Sequence, residues 1–244
     1  MIAVDAITRR FGSVVAADRV TFRVNRNEIV GFVGPNGAGK STILKILATF
    51  ILPTSGRATV DGIEVTAAPL AVRRRIGYLP GDTPLYRQMR GEPFLRFVGA
   101  AHGLRGEDLE AGLARVVQAF GLQPALHQRI DRCSTGFRQR FGLAAALIHD
   151  PPVLLLDEPT HGFDPLQVVE FRQLLRQLRH GRAILFSTHI IPDVEAVSDR
   201  VLVINRGRLL GDGSLDELRQ TLERPRASLE ELFAHLVWAT ERDE

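Results

Sequence analysis

"EIVGFVGPNGAGKSTILKILATF", Glu28 to Phe50, decides how the chain is read. Ile29 to Val33 is a short apolar run, the pattern of a strand buried on both faces. From Lys40 to Phe50, Ile43, Leu44 and Leu47 recur at helical spacing. Between them lies "GPNGAGKS", Gly34 to Ser41, which fits G-x-x-x-x-G-K-[ST] in full. A phosphate chain needs donors that approach closely and carry no bulky side chains. Gly37, Ala38 and Gly39 let the backbone curl so that successive N–H groups point inward, and the helix starting near Lys40 adds its positive dipole end. Lys40 brings a point charge toward the β- and γ-phosphates, and the Ser41 hydroxyl can ligate Mg²⁺. The position between strand and helix separates this loop from an ordinary Gly-rich turn.

A phosphate site with magnesium needs a carboxylate at the end of a neighbouring buried strand. "VLLLDE" supplies four apolar residues, then Asp157 and Glu158. Asp157 can hold the magnesium hydration shell; Glu158, one residue on, can polarise the attacking water. His189 ends "AILFSTH", whose strand should run parallel to the one ending at Asp157 and open on the same crevice. Ser134-Thr135-Gly136 precedes "FRQRFGLAAALI", where Phe137, Phe141, Ala144, Leu147 and Ile148 repeat at helical spacing. Ser134 is a fitting cap, and that helix start is a second potential anion site beside the plainer reading of a capped helix alone.

Outward from these motifs the chain divides by texture. The first part is β-rich: "VTFRV" alternates, and "ATVDGIEV" sets Asp61-Gly62 between two β-like runs, a hairpin signal. From about Pro84 to Asp131, "EPFLRFVGAAHGL" and "EDLEAGLARVVQAFGL" have helical periodicity, the texture of a helical insertion. Then "PPVLLLDEPT", "RAILFSTH" and "RVLVIN" alternate with helical segments such as "PLQVVEFRQLLRQL", which predicts a parallel sheet covered on both faces. The tail, "RPRASLEELFAHLVWATERDE", is amphipathic with Leu229, Leu232, Phe233 and Leu236 on one side.

The bulk numbers exclude several classes. With 244 residues, 45% hydrophobic and 24% charged, the composition is that of a soluble globular chain. A net charge of +3, scattered along the sequence, does not point to nucleic acid. One cysteine, Cys133, allows neither an internal disulfide nor a zinc cluster and suits a reducing compartment. No signal peptide is expected at the N-terminus, and the longest apolar runs fall far short of the roughly 20 residues of a membrane helix, so any spans belong to another chain.

Together these residues resemble the ATP-binding subunit of an ABC transporter, and the resemblance covers nearly the whole chain. "GPNGAGKS" resembles the Walker A motif, with Thr42 next to it; "VLLLDEP" resembles Walker B with catalytic Glu158. "CSTGFRQR" resembles the signature motif, keeping Ser134 and Gly136 while Thr135 and Phe137 replace the usual Gly and Gln. "THGFDP", with Asp164, resembles the D-loop, and "STH" supplies the switch His189. Phe11 lies where the family stacks an aromatic on adenine; a core phenylalanine is the alternative.

The resemblance implies an α/β fold: a P-loop NTPase (RecA-like) core with an N-terminal antiparallel β subdomain (1–83 and 132–215 together), a helical subdomain at 84–131 and a helical tail at 216–244. It implies ATP bound by Phe11, Gly34, Asn36, Gly37, Ala38, Gly39, Lys40, Ser41 and Thr42, with Mg²⁺ on Ser41 and Asp157. It also implies a head-to-tail dimer in which Ser134 and Gly136 reach the partner copy's nucleotide. A separate membrane permease would be driven from the cytoplasmic, inner face of the cell membrane. The tail, "VLVINRGRLLGDGSLDEL" then "SLEELF", resembles bacterial exporter-type subunits. The other reading, a soluble ABC ATPase of translation or DNA repair, expects paired ATPase units, coiled coils or zinc cysteines, none of which is in this sequence.

One position departs from the pattern. In the family a Gln follows a strand like "IGYLP" and opens the loop facing the permease; here it is Gly81, then Asp82. Asp82 substituting as a metal contact, water filling the gap, and a one-residue slip of the motif all remain open.

Overall fold

The computed structural model describes residues 1–82 and 85–242. The chain opens with strands β1 (Ile2–Phe11), β2 (Val14–Val24) and β3 (Glu28–Val33), followed by helix α1 (Lys40–Leu47). Next come β4 (Ser55–Val60), β5 (Ile63–Glu64), α2 (Pro69–Arg75) and β6 (Ile76–Leu79). Helices α3 (Gly91–Ala101), α4 (Gly106–Ala119) and α5 (Thr135–Leu147) lead to β7 (Val153–Asp157) and α6 (Pro165–Leu178). The chain ends with β8 (Ala183–Thr188), α7 (Ile191–Val197), β9 (Arg200–Asn205), β10 (Arg208–Gly213), α8 (Leu215–Thr221) and α9 (Leu229–Arg242). The expected start of the helical segment at Pro84 and the end of the tail at Glu244 lie outside the described residues.

Two sheets result. The first is antiparallel, in the order β2-β1-β4-β5. Its β4–β5 hairpin turns at Asp61 and Gly62, both with positive φ (50° and 79°), the primed turn that Asp-Gly favours. The second sheet has the order β10-β9-β3-β8-β7-β6, and all its pairs are parallel except β10–β9. The strands expected from strand–helix alternation, β7, β8 and β9, do lie in the parallel part; β10 adds an antiparallel edge. Arg206 (φ 47°) and Gly207 (φ 80°) turn the chain straight back as a two-residue hairpin, leaving no room for a crossover helix.

Period-two alternation in the central strands serves two cores. Ile29 and Val33 of β3, Leu154 and Leu156 of β7, and Ile184 and Phe186 of β8 join one apolar cluster with Phe94, Val116, Phe141 and Leu175 of the helices. Their neighbours Val30, Phe32, Val153, Leu155 and Leu185 join another with α1 and the antiparallel sheet. In the tail, Leu229 and Leu232 of α9 are buried in the first cluster, and Phe233 and Leu236 pack against it. The register of the central strands fixes the site. Val33 pairs with Thr188, and Asp157 with Ser187, so Gly34, Glu158 and His189 all emerge at the carboxyl edge of the sheet.

Candidate functional site

The phosphate loop is shaped by close backbone approach. Gly39 has φ 106°, and a Cβ there would lie 2.3 Å from the Ala16 carbonyl oxygen, so the β2 backbone leaves space for glycine alone. At Gly37 (φ 81°) a Cβ would meet nothing within 4 Å: the loop is tight behind and open in front. Lys40 begins α1 and is buried; its Nζ donates to the carbonyls of Gly34 (2.6 Å) and Pro35 (3.0 Å). Burial holds the Lys40 ammonium below the usual lysine range, while the Glu158 and Asp157 carboxylates pull it back up. Ala38 is buried beneath the loop, Asn36 is exposed, and Ser41 and Thr42 are half-buried on the first turn of the helix.

Facing this loop is the pair of acids at the end of β7. Asp157 is buried, and its Oδ1 accepts from the Ser187 hydroxyl at 2.5 Å. Glu158 takes a left-handed backbone (φ 48°), and its N–H donates to the Ser187 carbonyl at 3.1 Å. Its side chain turns to exposed His189, whose Nδ1–H donates to Oε2 at 2.9 Å. A buried carboxylate fixed by a hydroxyl thus stands beside a second one held by an imidazole.

Ser134 caps α5, its Oγ accepting from the Phe137 N–H at 3.2 Å. Gly136 is buried against Gln167, whose Oε1 would lie 2.6 Å from an added Cβ. Gln167 belongs to the reciprocal cap of α6: Asp164 Oδ1 accepts from the Gln167 N–H at 2.9 Å, and the Asp164 N–H donates back to Gln167 Oε1 at 3.4 Å. The Ser134–Gly136 turn and Asp164 are therefore one packed unit. The helix it opens, α5, packs on β6, α3 and α4, whereas α1 behind the phosphate loop packs on β7, β2 and β4.

Phe11 is 45% exposed under the Arg9 guanidinium, 4.4 Å from the ring centroid, so it is not a core residue. Gly81 lies beside Asp157: a Cβ on Gly81 would sit 3.6 Å from Asp157 Oδ2. Asp82 is exposed and lines a cleft with Thr135, Arg138 and His161.

Two residues escaped the sequence reading. Ser187 fixes Asp157 by its hydroxyl and Glu158 by its carbonyl; the signal was a polar residue inside an otherwise apolar strand. Buried Gln139 donates Nε2–H to the Pro159 carbonyl at 3.0 Å and ties α5 to the segment after Glu158; nothing in a helical pattern marks it.

The family model described as "ABC transporter" matches residues 17–161, more than half of the chain. The chain belongs to the ABC transporter family. Within it, the chain is 37% identical over 235 residues to the "Probable multidrug ABC transporter ATP-binding protein YbhF" of Escherichia coli (strain K12), covering 95% of this chain and 40% of that protein. It therefore spans less than half of that relative. It is 37% identical over 227 residues to the ABC transporter ATP-binding protein NatA of Bacillus subtilis (strain 168), covering 91% of this chain and 92% of NatA. Among solved structures, "Structure of ATP binding subunit of ABC transporter" superposes with a TM-score of 0.91 at 30% identity, covering 97% of this chain and 99% of that one. The two-sheet core with its helical segment is thus the ABC ATP-binding fold.

Proposed function

We propose that this chain binds and hydrolyses ATP and thereby powers a separate membrane permease, as an export subunit. The observation that carries the reading is the pair of acids at the end of β7, one locked by Ser187 and one held by His189, across from the phosphate loop. Lys40 uses two of its three donors on loop carbonyls and keeps one for a phosphate oxygen. The loop amides and the α1 N-terminus bind the rest of the chain of phosphates. Phe11 offers an exposed ring for the adenine.

Glu158 acts as general base toward the attacking water, and His189 orients it and the γ-phosphate end. Ser41 and Asp157 suit Mg²⁺: a hydroxyl and one fixed carboxylate beside an open cradle are what this ion takes when phosphates and water fill its other positions. When bound, the ion neutralises charge developing between the β- and γ-phosphates. Ser134 and Gly136 open a different helix from the one behind the phosphate loop, which supports their use on a partner copy's nucleotide in a head-to-tail dimer.

Among the described residues no helix is long and apolar enough to cross a membrane. The subunit works from the inner face of the membrane, with the permease seated in the apolar groove beside Leu79, Pro80 and Leu85, where the Gly81 loop begins. Replacing Glu158 with Gln tests the chemistry. ATP affinity should persist, turnover should fall by roughly a hundredfold or more, and ATP should trap a dimer visible by light scattering. Unchanged turnover would overturn the assignment of Glu158.

A further inference from the structure

The turn after β7 and the segment after β8 are joined twice. At the open end, His189 Nδ1–H donates to Glu158 Oε2 at 2.9 Å. At the closed end, the hydroxyl of Thr160, two residues beyond Glu158, donates to Asp193 Oδ2 at 2.8 Å. Asp193 stands four residues beyond His189, in the first turn of α7. Thr160 and Asp193 are 6% and 3% exposed, so the second bond is shut away from water, whereas the His189 side chain is half exposed.

The buried bond belongs to a larger set. Asp193 Oδ1 accepts twice from Arg172 of α6, from Nε at 3.2 Å and from Nη2 at 2.6 Å. A carboxylate can only accept, so the hydroxyl and the guanidinium are the donors, and the buried charge is both paired and hydrogen-bonded. Apolar side chains of similar volume can hold a helix as firmly, because desolvation takes back much of what a buried ion pair gains. What the charged set adds is direction. Two N–H groups on one oxygen and a hydroxyl on the other restrict how the Asp193 turn can sit on Thr160 and α6.

Both segments are also held from behind. The Pro159 carbonyl accepts from Gln139 at 3.0 Å. Val194 of α7 is fully buried against Gly31 of β3, where an added Cβ would lie 2.4 Å from its Cγ1. Neither clamp joins the two segments to each other. The Thr160–Asp193 bond does. An exposed imidazole on an unpinned loop would sample many positions, and pinning the loop four residues on removes that freedom before ATP arrives.

We propose that Thr160 and Asp193 are positioning residues for ATP hydrolysis, their buried bond setting the register in which the exposed His189 meets Glu158. Their role rests on those proposed above for Glu158 and His189. Thr160 acts through the turn that carries Glu158, and Asp193 through the loop that carries His189.

Steady-state hydrolysis and ATP titration of the whole subunit provide the test. Thr160→Val keeps the shape and removes the hydroxyl; Asp193→Leu removes both buried partners. Each should lower kcat by about tenfold or more, the worth of a hydrogen bond to a charged group, and leave the Kd for ATP within about threefold. Thr160→Ser, which keeps the hydroxyl, should restore kcat to within about twofold of the parent. A crystal structure of Thr160→Val should show His189 Nδ1 withdrawn from Glu158 to beyond about 3.5 Å.

Unchanged kcat in Thr160→Val or Asp193→Leu would overturn the positioning role and leave Glu158 and His189 as assigned. A kcat loss with the Glu158–His189 bond still at 2.9 Å would overturn it too. So would an equal loss in Thr160→Ser, or a parallel loss of ATP affinity, each the mark of general damage. Unimpaired turnover in Glu158→Gln or His189→Ala would remove the catalytic pair itself, and the role of Thr160 and Asp193 with it.

Discussion

Gly81 occupies the place where the family pattern has a glutamine, and the structure gives that exchange a scale. A Cβ there would meet Asp157 at ordinary van der Waals distance, 3.6 Å from Oδ2 and 3.9 Å from the carbonyl oxygen. Gly81→Gln should therefore fold normally and keep ATP affinity within about threefold, while shifting basal turnover by less than about tenfold. Nucleotide titration and steady-state hydrolysis would measure both, and a large loss of affinity would contradict the geometry. Residues of this kind were legible in the sequence when their place follows from a strand end: Asp157 and Glu158 come straight after the apolar run of β7, His189 closes the run of β8, and Lys40 follows the loop after β3. Ser187 and Gln139 were not, because what they touch depends on the β7–β8 register and on how α5 meets the loop after β7. No pattern within either segment carries that information. Phe11 shows the same limit from the other side, since only its exposure in the structure rules out a core ring.

Elements were most readable where their ends are written in side chains. Helix α6 begins at Pro165 behind an Asp164 cap and ends at Leu178, the span its periodicity predicts. Strand β10 was harder, since "RLLGDG" has little alternation and owes its place to the Arg206-Gly207 turn. At the C-terminal end of α5 the stacked His102–His149 pair makes a pH prediction. The His149 pKa is lowered to about 4, chiefly by burial and then by His102, against an opposing hydrogen bond to Ile76 and the nearby Asp150. The unfolded chain takes up this proton near the ordinary value of about 6.5, the folded chain only near 4. The contribution is therefore absent above about pH 6.5, and stability falls as pH drops from there toward 4. His149→Phe should flatten that decline by about 1–2 kcal/mol, allowing for partial exposure. Melting temperatures of both proteins at pH 7.5 and 4.5 would show it, and parallel curves would refute it.

For the whole molecule, one sheet serves as floor to two cores. The same strands that hold Asp157 and Glu158 send alternate side chains into the helical cluster and the antiparallel cluster. Leu155 is fully buried at the centre of β7, in the second cluster. Leu155→Ala should cost about 2–5 kcal/mol, and the melt should stay a single transition, since neither core survives without the shared strands. Two separated transitions in calorimetry would show that the cores unfold independently. The general α/β plan was legible because apolar strand-like runs alternate with amphipathic helical segments along the sequence. The division of labour between the two faces was not, because nearly continuous apolar runs such as "VLLLD" conceal which side each residue serves.

Glu158 holds a backbone conformation that L side chains rarely adopt. Directed evolution for heat tolerance alone would be drawn to glycine at this position, where the strain would vanish along with the acid. On the role proposed for Glu158, the hardiest survivor of such a screen would be a subunit that binds ATP and scarcely spends it.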